Sequence, residues 1–455
     1  MVRRLAWRAT ALILAGALLF PALAPARAQP TGEKISFIRD AEIENTVRIY
    51  VTPIFEAAGF NPADIDVFLV NDNRLNAFVA GGLNLFLNTG LLVRADTPEQ
   101  VIGVIAHETG HIVGGHLARL EEAFRDATKH GWLQYVLAAA AAVATKNGNA
   151  ATAVMSGGSQ LTQATLLKFN RAQESSADQA GLAYLDDAGI SAVGLRDFFA
   201  ILRDQELLVV ARQDPYIRTH PLTEERIQSV EAHIKKSPFS DKKLGPEYDE
   251  MQARMRGKLR GFLDPVGRVM RQYPESDTSL EARYARAIAY YRKPDLVRAL
   301  PLIDGLIAEH PRDPYFHELR GQMLFENGRI VESIPSYIQA VDLLPNNGLL
   351  RTELAHAMLE TGEPSFTAPA IEHLEQSRRL DSRIPLALRL LAVGYGRQQD
   401  FGMSARYSAE FALRTGKIDD AIGQAEKAIR LLPAGSVGRR HAEDIKQEAE
   451  NIRKG

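Results

Sequence analysis

Two histidines and a glutamate interrupt an otherwise apolar run between Val101 and Val113, and nothing else restricts the fold as strongly. Val101, Ile102, Val104, Ile105, Ile112 and Val113 surround His107, Glu108 and His111. On a helix, four-residue spacing sets His107 and His111 on one face, a turn apart. Burying three ionisable groups among apolar side chains is costly unless a metal or a polar network offsets it. Two imidazoles held this way can grip one ion, and Glu108 is placed to take a proton from a water that the ion activates. The fold must then bring further ligands to this helix from elsewhere in the chain.

The helix opens on Thr97-Pro98-Glu99-Gln100, with threonine at the cap and proline at the first helical position, and is expected to run to about Leu120. Before it, residues 35–60 read as a charged amphipathic helix with Ile43, Val47, Ile54 and Phe55 near one face and Gly59 closing it. Residues 65–70 read as a strand, and the runs 76–80 and 83–87 flank Gly81-Gly82 as a hairpin. A small antiparallel sheet is therefore expected beside the helix. Asn76, Ala77, Phe78, Val79 and Ala80 are the candidate edge strand, where an extended peptide can pair and present a carbonyl to the ion.

A catalytic zinc site has three protein ligands and an open position. His116 is near, but a third histidine six residues after His111 would fall at 117, which is leucine; His116 reads as a helix-borne neighbour of the site. Glu174 is the better third ligand, because Glu174 and Asp178 share a helix face: one carboxylate can bind the ion while the other accepts the free N–H of a ligating imidazole. His220, read as the cap of a helix beginning at Pro221, can donate to a developing oxyanion or occupy the open metal position, and Arg226 can pair with Asp178. Manganese or iron would also suit these ligand types.

The 455 residues are too many for one core, so at least two domains are expected, and 45% apolar with 24% charged residues is a soluble globular composition. The absence of cysteine excludes disulfides, a thiolate zinc site and a lipid anchor on cysteine. Arg3, Arg4 and Arg8 precede an apolar run ending at Ala26-Arg27-Ala28, a secretory signal with cleavage expected after Ala28. Losing its four arginines takes the net charge from -2 to -6, which does not suit nucleic-acid binding. The apolar run 132–144 is too short to cross a bilayer; it reads as a packed helix lining the cleft, with peripheral membrane contact through 132–158 as the other reading and lid motion of 121–160 allowed by Gly157-Gly158.

After a charged connector, Pro274, Pro311, Pro345 and Pro433 each follow a helix, and spacing near 34 residues marks tetratricopeptide helix pairs. Gly321, Leu324, Gly328, Tyr337, Ala340 and Pro345 make the clearest unit. Four units are expected, with an irregular junction near 380–401, and such an array presents a concave face for peptides or partners.

His-Glu-Thr-Gly-His at 107–111, Glu-Ser-Ser-Ala-Asp at 174–178, the Asn-Ala-Phe strand at 76–78 with its Gly-Gly turn, and Thr-His-Pro at 219–221 followed by Arg226 together resemble the gluzincin peptidases of the CAAX prenyl protease and HtpX type. The resemblance covers nearly the whole chain after residue 28. It implies an α+β, mostly α architecture: a signal peptide (1–28), a zincin-like metalloprotease domain (29–265) and an all-α tetratricopeptide solenoid (266–455). It implies one Zn2+ per chain held by His107, His111 and Glu174, with Glu108 as base and His220 as a regulatory or transition-state histidine. The implied task is periplasmic proteolysis of unfolded or stalled outer-membrane proteins, with the repeats docking beta-barrel assembly machinery. A chaperone or assembly factor acting through the repeats, its metal site latched shut, is the competing class.

Overall fold

In the computed structural model, residues 36–80, 83–116, 160–206 and 215–454 are described. The expected signal peptide, the expected Gly81-Gly82 turn, residues 117–120 of the expected helix, the 132–158 segment and the expected 121–160 lid up to residue 159 lie outside them.

The chain enters as a two-residue strand β1 (Phe37–Ile38), and helix α1 (Ala41–Ala57) begins only where Asp40 Oδ1 accepts from the Ile43 N–H. The expected helix therefore starts some residues late, because an aspartate cap decides its start where apolar spacing does not. Strands β2 (Asp66–Val70), β3 (Ala77–Ala80) and β4 (Asn84–Asn88) follow, in sheet order β1-β2-β4-β3. The sheet is mixed rather than antiparallel. β4 folds back between β3 and β2, so it runs antiparallel to β3 and parallel to β2. Alternation then separates two faces: Leu69, Ala77, Leu85 and Leu87 are buried in the core, whereas Phe68, Phe78 and Phe86 point away from it, half-buried.

Helix α2 (Thr89–Arg94) leads to α3 (Pro98–Val113), which carries the histidines. Thr97 accepts from the Gln100 N–H and the Gln100 side chain returns to the Thr97 N–H, a complete capping box. Its far end is a tight turn at Gly114-Gly115, with Gly115 at φ +59°, so the helix stops at Val113, short of the expected 120. Fully buried Val101, Val104 and Ile105 pack α3 into a core shared with Tyr50, Ile54, Phe55, Leu85 and Leu195. Each such side chain contributes about 1.5–3 kcal/mol. Around it lie α4 (Gln160–Asp187), α5 (Val193–Glu206), α6 (Pro215–Thr219), α7 (Glu224–Ile234) and α8 (Pro246–Leu263).

Beyond the short helix Val266–Gln272, helices pair as Leu280–Tyr291 with Leu296–Glu309, Pro314–Glu326 with Ile330–Leu343, Gly348–Glu360 with Thr367–Leu380, Pro385–Arg397 with Phe401–Arg414, and Ile418–Leu431 with Val437–Lys454. The pairs are five, not four. The stretch taken for an irregular junction is a pair whose tight turn uses Gln399 at φ +62°, where Gly328 and Gly362 serve in its neighbours. Without glycine that turn carries no sequence signal. Gly321 allows the close packing expected of it, since a Cβ there would meet the Tyr337 ring at 2.9 Å.

The repeats are docked on α1 and α8 through buried charges. Lys258, 1% exposed, reaches Asp40 at 2.8 Å, Glu42 at 3.3 Å and Glu318 at 3.4 Å. Arg254 bridges Glu42 (2.7 Å) and Asp313 (2.5 Å), its guanidinium lying over Phe316. Farther along, Arg39 pairs with Asp381 and Arg383 with Asp66.

Candidate active site

Absent side chains set the site's frame. A Cβ on Gly110 would lie 2.5 Å from the Ala177 carbonyl oxygen, and one on Gly181 would lie 3.0 Å from the Ala106 carbonyl and the His107 nitrogen. Helices α3 and α4 therefore touch backbone to backbone, and Glu174 and Asp178, one turn apart on α4, face the two histidines. All four side chains are buried.

His107 Nε2 and His111 Nε2 lie 3.1 Å apart; Glu174 Oε2 is 3.4 Å from the first and Oε1 is 3.3 Å from the second. His220 Nδ1 completes the group, 3.3 Å from His107 Nε2 and 3.2 Å from Glu174. Four donors sharing a tetrahedral divalent ion with bonds near 2.0–2.1 Å stand about 3.3 Å apart. The spacing and the imidazole–carboxylate donor set thus fit one ion, and His107, His111, Glu174 and His220 each offer one atom to it.

Asp178 stands behind the ligands. Its Oδ1 lies 2.8 Å from His107 Nδ1, and Arg226 donates to both its oxygens, Nε at 2.6 Å and Nη2 at 2.9 Å. Burial works against the Asp178 charge, but the hydrogen bonds from Arg226 and His107 outweigh it and lower the pKa. Burial likewise opposes the His107 cation, yet Asp178 and Glu174 raise that imidazole to about 9. His111 goes the other way: burial pulls it down to about 3, a neutral ring suited to ligation. Arg226 Nη1 also touches Glu174 at 3.0 Å and the Pro221 carbonyl at 2.9 Å.

Glu108 shares none of these bonds. Both its oxygens are buried without a hydrogen bond of normal geometry, although the Tyr216 hydroxyl acts on it as a hydrogen-bonding neighbour, and the nearest ring nitrogen is His220 Nε2 at 3.6 Å. Burial raises its pKa above the usual carboxylate value, against the pull of His220 and His107.

His220 reaches the cluster by a route other than the expected one. It follows α6, its N–H donating to the Tyr216 carbonyl at 2.7 Å, and does not cap α7; Thr223 does, accepting from the Arg226 N–H. A threonine hydroxyl satisfies that amide directly, leaving the imidazole free to turn inward. Tyr216 was not foreseen. Its ring packs on His220 at 4.4 Å between centroids, and its pKa is raised by burial and by Glu108 and Glu174. The Pro215-Tyr216 pair just before Thr-His-Pro is the signal that could have found it. Gly110 and Gly181 were likewise missed as packing residues. His116 is not borne on the helix: it lies past the Gly114-Gly115 turn, which returns its Nδ1 to within 2.9 Å of His111 Nδ1. Of the edge-strand candidates, Ala77 to Ala80 form β3 at one edge of the sheet, beside α3, and buried Asn76 precedes it.

A helix offering two imidazoles to an ion, a second helix offering a carboxylate, and a spare acid between them define a metallopeptidase. Residues 39–234 match the model of Peptidase family M48. Beyond it, the chain is 25% identical over 377 residues to the beta-barrel assembly-enhancing protease of Yersinia pestis and 24% identical over 374 residues to that of Escherichia coli; each match covers 81% of this chain, with 76% and 75% of those proteins. A Vibrio cholerae protein provisionally given the same name is 29% identical over 257 residues, 55% of this chain and about half (52%) of that protein. Among solved structures, MamA (TM-score 0.29, 15% identity, 43% of this chain and 96% of that one) and Pseudomonas aeruginosa PilF (TM-score 0.28, 18% identity, 42% and 97%) are similar only weakly. Among the described residues no helix is long and apolar enough to cross a membrane.

Proposed function

We propose that this chain is a periplasmic zinc endopeptidase acting in quality control of outer-membrane proteins, with residues 1–28 as its signal, 29–265 as the catalytic domain and 266–455 as a docking array for unfolded or stalled substrates and for the beta-barrel assembly machinery. The observation that carries it is the convergence of four donor atoms beside one buried carboxylate that stands outside the donor set. His107, His111 and Glu174 would hold the ion, and Asp178 orients the His107 ring. When bound, zinc supplies Lewis-acid polarisation of the scissile carbonyl and of the attacking water. Glu108 takes the proton from that water and returns it to the leaving amine. The names of the Yersinia and Escherichia relatives support the substrate class and the partner.

His220 favours a second feature of this reading. Its Nδ1 lies beside the other three donor atoms, where it would close the position that water and substrate need once an ion is held. On this reading the resting protein is latched. A purely non-proteolytic chaperone would keep this latch permanently. The test is Glu108→Gln: metal content by mass spectrometry stays at one zinc per chain while hydrolysis of an unfolded test protein is lost. Cleavage by that variant at the wild-type rate removes Glu108 from the role.

A further inference from the structure

Three phenylalanines stand in register across adjacent strands: Phe68 of β2 opposite Phe86 of β4, and Phe86 opposite Phe78 of β3. Their rings stack almost flat, Phe68–Phe86 at 5.0 Å and 15°, Phe86–Phe78 at 4.8 Å and 6°. Phe37 of β1 leans over the far end, 5.7 Å from Phe68, and is 48% exposed. This ladder runs across the strands on the sheet face turned away from the core. It ends at Phe78, on the edge strand beside the helix that carries His107 and His111.

We infer that Phe78 is a specificity residue: it selects substrate strands that place an aromatic side chain opposite it. The inference rests on the proposed peptidase reading and on substrate pairing with β3. A strand added to β3 lies about 4.8 Å away, and its directly opposed residue comes within about 4.5–5.5 Å of Phe78. An aromatic ring there extends the existing stack by one member, whereas alanine or serine leaves the outer face of Phe78 wet. Side chains on the next positions point to the opposite face, so the preference falls on one residue, not on every position. The substrate class this fits is an extended segment with an aromatic side chain at the one position opposite Phe78. Offset aromatic pairing predicts a preference of about 2- to 10-fold over alanine.

The experiment uses the full chain. Wild-type protein digests a mixed library of unfolded peptides, and cleavage products are sequenced. The expected pattern is aromatic enrichment at one fixed distance from the scissile bond, retained in Phe78→Tyr and lost in Phe78→Ala and in Phe78→Leu, the last preserving apolar bulk should alanine disturb the sheet. In parallel, Glu108→Gln protein binds a fluorescent peptide carrying phenylalanine at that position, or at each position in turn, and its alanine counterpart. Equal binding of every such pair, or enrichment unchanged in Phe78→Leu, overturns the inference. Phe78-dependent binding without any wild-type hydrolysis would instead sustain it and overturn the peptidase reading.

Discussion

His107 turns its Nδ1 toward Asp178 Oδ1 at 2.8 Å, which leaves Nε2 facing the other donors. Asp178 is itself held by two hydrogen bonds from Arg226, so ring orientation is set two residues away from the ligand atom. Asp178→Asn keeps the volume but forfeits the charge, and its amide can present N–H where an acceptor is needed. Zinc affinity is expected to fall about 10- to 100-fold, measured by competition with a chromogenic chelator. Unchanged affinity would show that His107 is oriented without Asp178.

His220→Ala opens the fourth donor position. Hydrolysis of an unfolded protein is expected to rise severalfold, with zinc still bound. A fall of about 100- to 1,000-fold would give His220 the oxyanion-stabilising role instead.

Gly110→Ala pushes a methyl into the Ala177 carbonyl. Separating α3 from α4 moves Glu174 away from the histidines, so zinc content and thermal stability should drop together, by about 1–3 kcal/mol in stability. Gly423→Ala is the control: it lies within the helix Ile418–Leu431 with no neighbour near its missing Cβ, and the change should stabilise by about 0.5–1 kcal/mol. Equal effects at both positions would discard the close-packing account.

The buried charges at the docking surface predict a pH dependence. Glu318 is pushed up to about 7 by burial, more than Lys258 pulls it down, and Asp40 and Glu42 add to the rise. Glu353 is raised for the same reasons, by burial and by Glu318 above all, while Glu42 is held low by Arg254 and Lys258 in spite of its burial. A carboxyl with a raised folded pKa stabilises fully below its unfolded value near 4.5, and that contribution is lost as pH climbs through about 7. Glu42 acts oppositely, failing as pH falls. Glu318→Gln should therefore gain in Tm over wild type between pH 5 and pH 8, read by differential scanning calorimetry. A difference constant with pH would show that Glu318 is already ionised in the folded protein.

The metal helix was the most legible element because its signals agree: Thr97 and Gln100 cap it, apolar residues set its faces, and His107 and His111 share one of them. Glu174 and Asp178 could be picked out because carboxylates among Ala177, Ala180 and Gly181 do not sit on a solvated face, and Arg226 because it could pair with Asp178. What escaped was decided by long-range geometry. Phe37 and Ile38 are too few to alternate visibly, and the parallel pairing of β2 with β4 depends on where β4 inserts, which spacing along the chain does not encode. His220 arrived from α6 because Thr223 had taken the cap. Gln399 hid a helix pair by doing a glycine's work.

Lys258 and Arg254 join the first helix of the catalytic part to the second helix pair, while Arg39 and Arg383 tie the same region to the third and fourth. On the proposed docking role, a client gripped by the array would not be searching on a slack tether. Its effective concentration at the cleft is set by a stiff joint, and is not diluted with chain length as a flexible linker would dilute it.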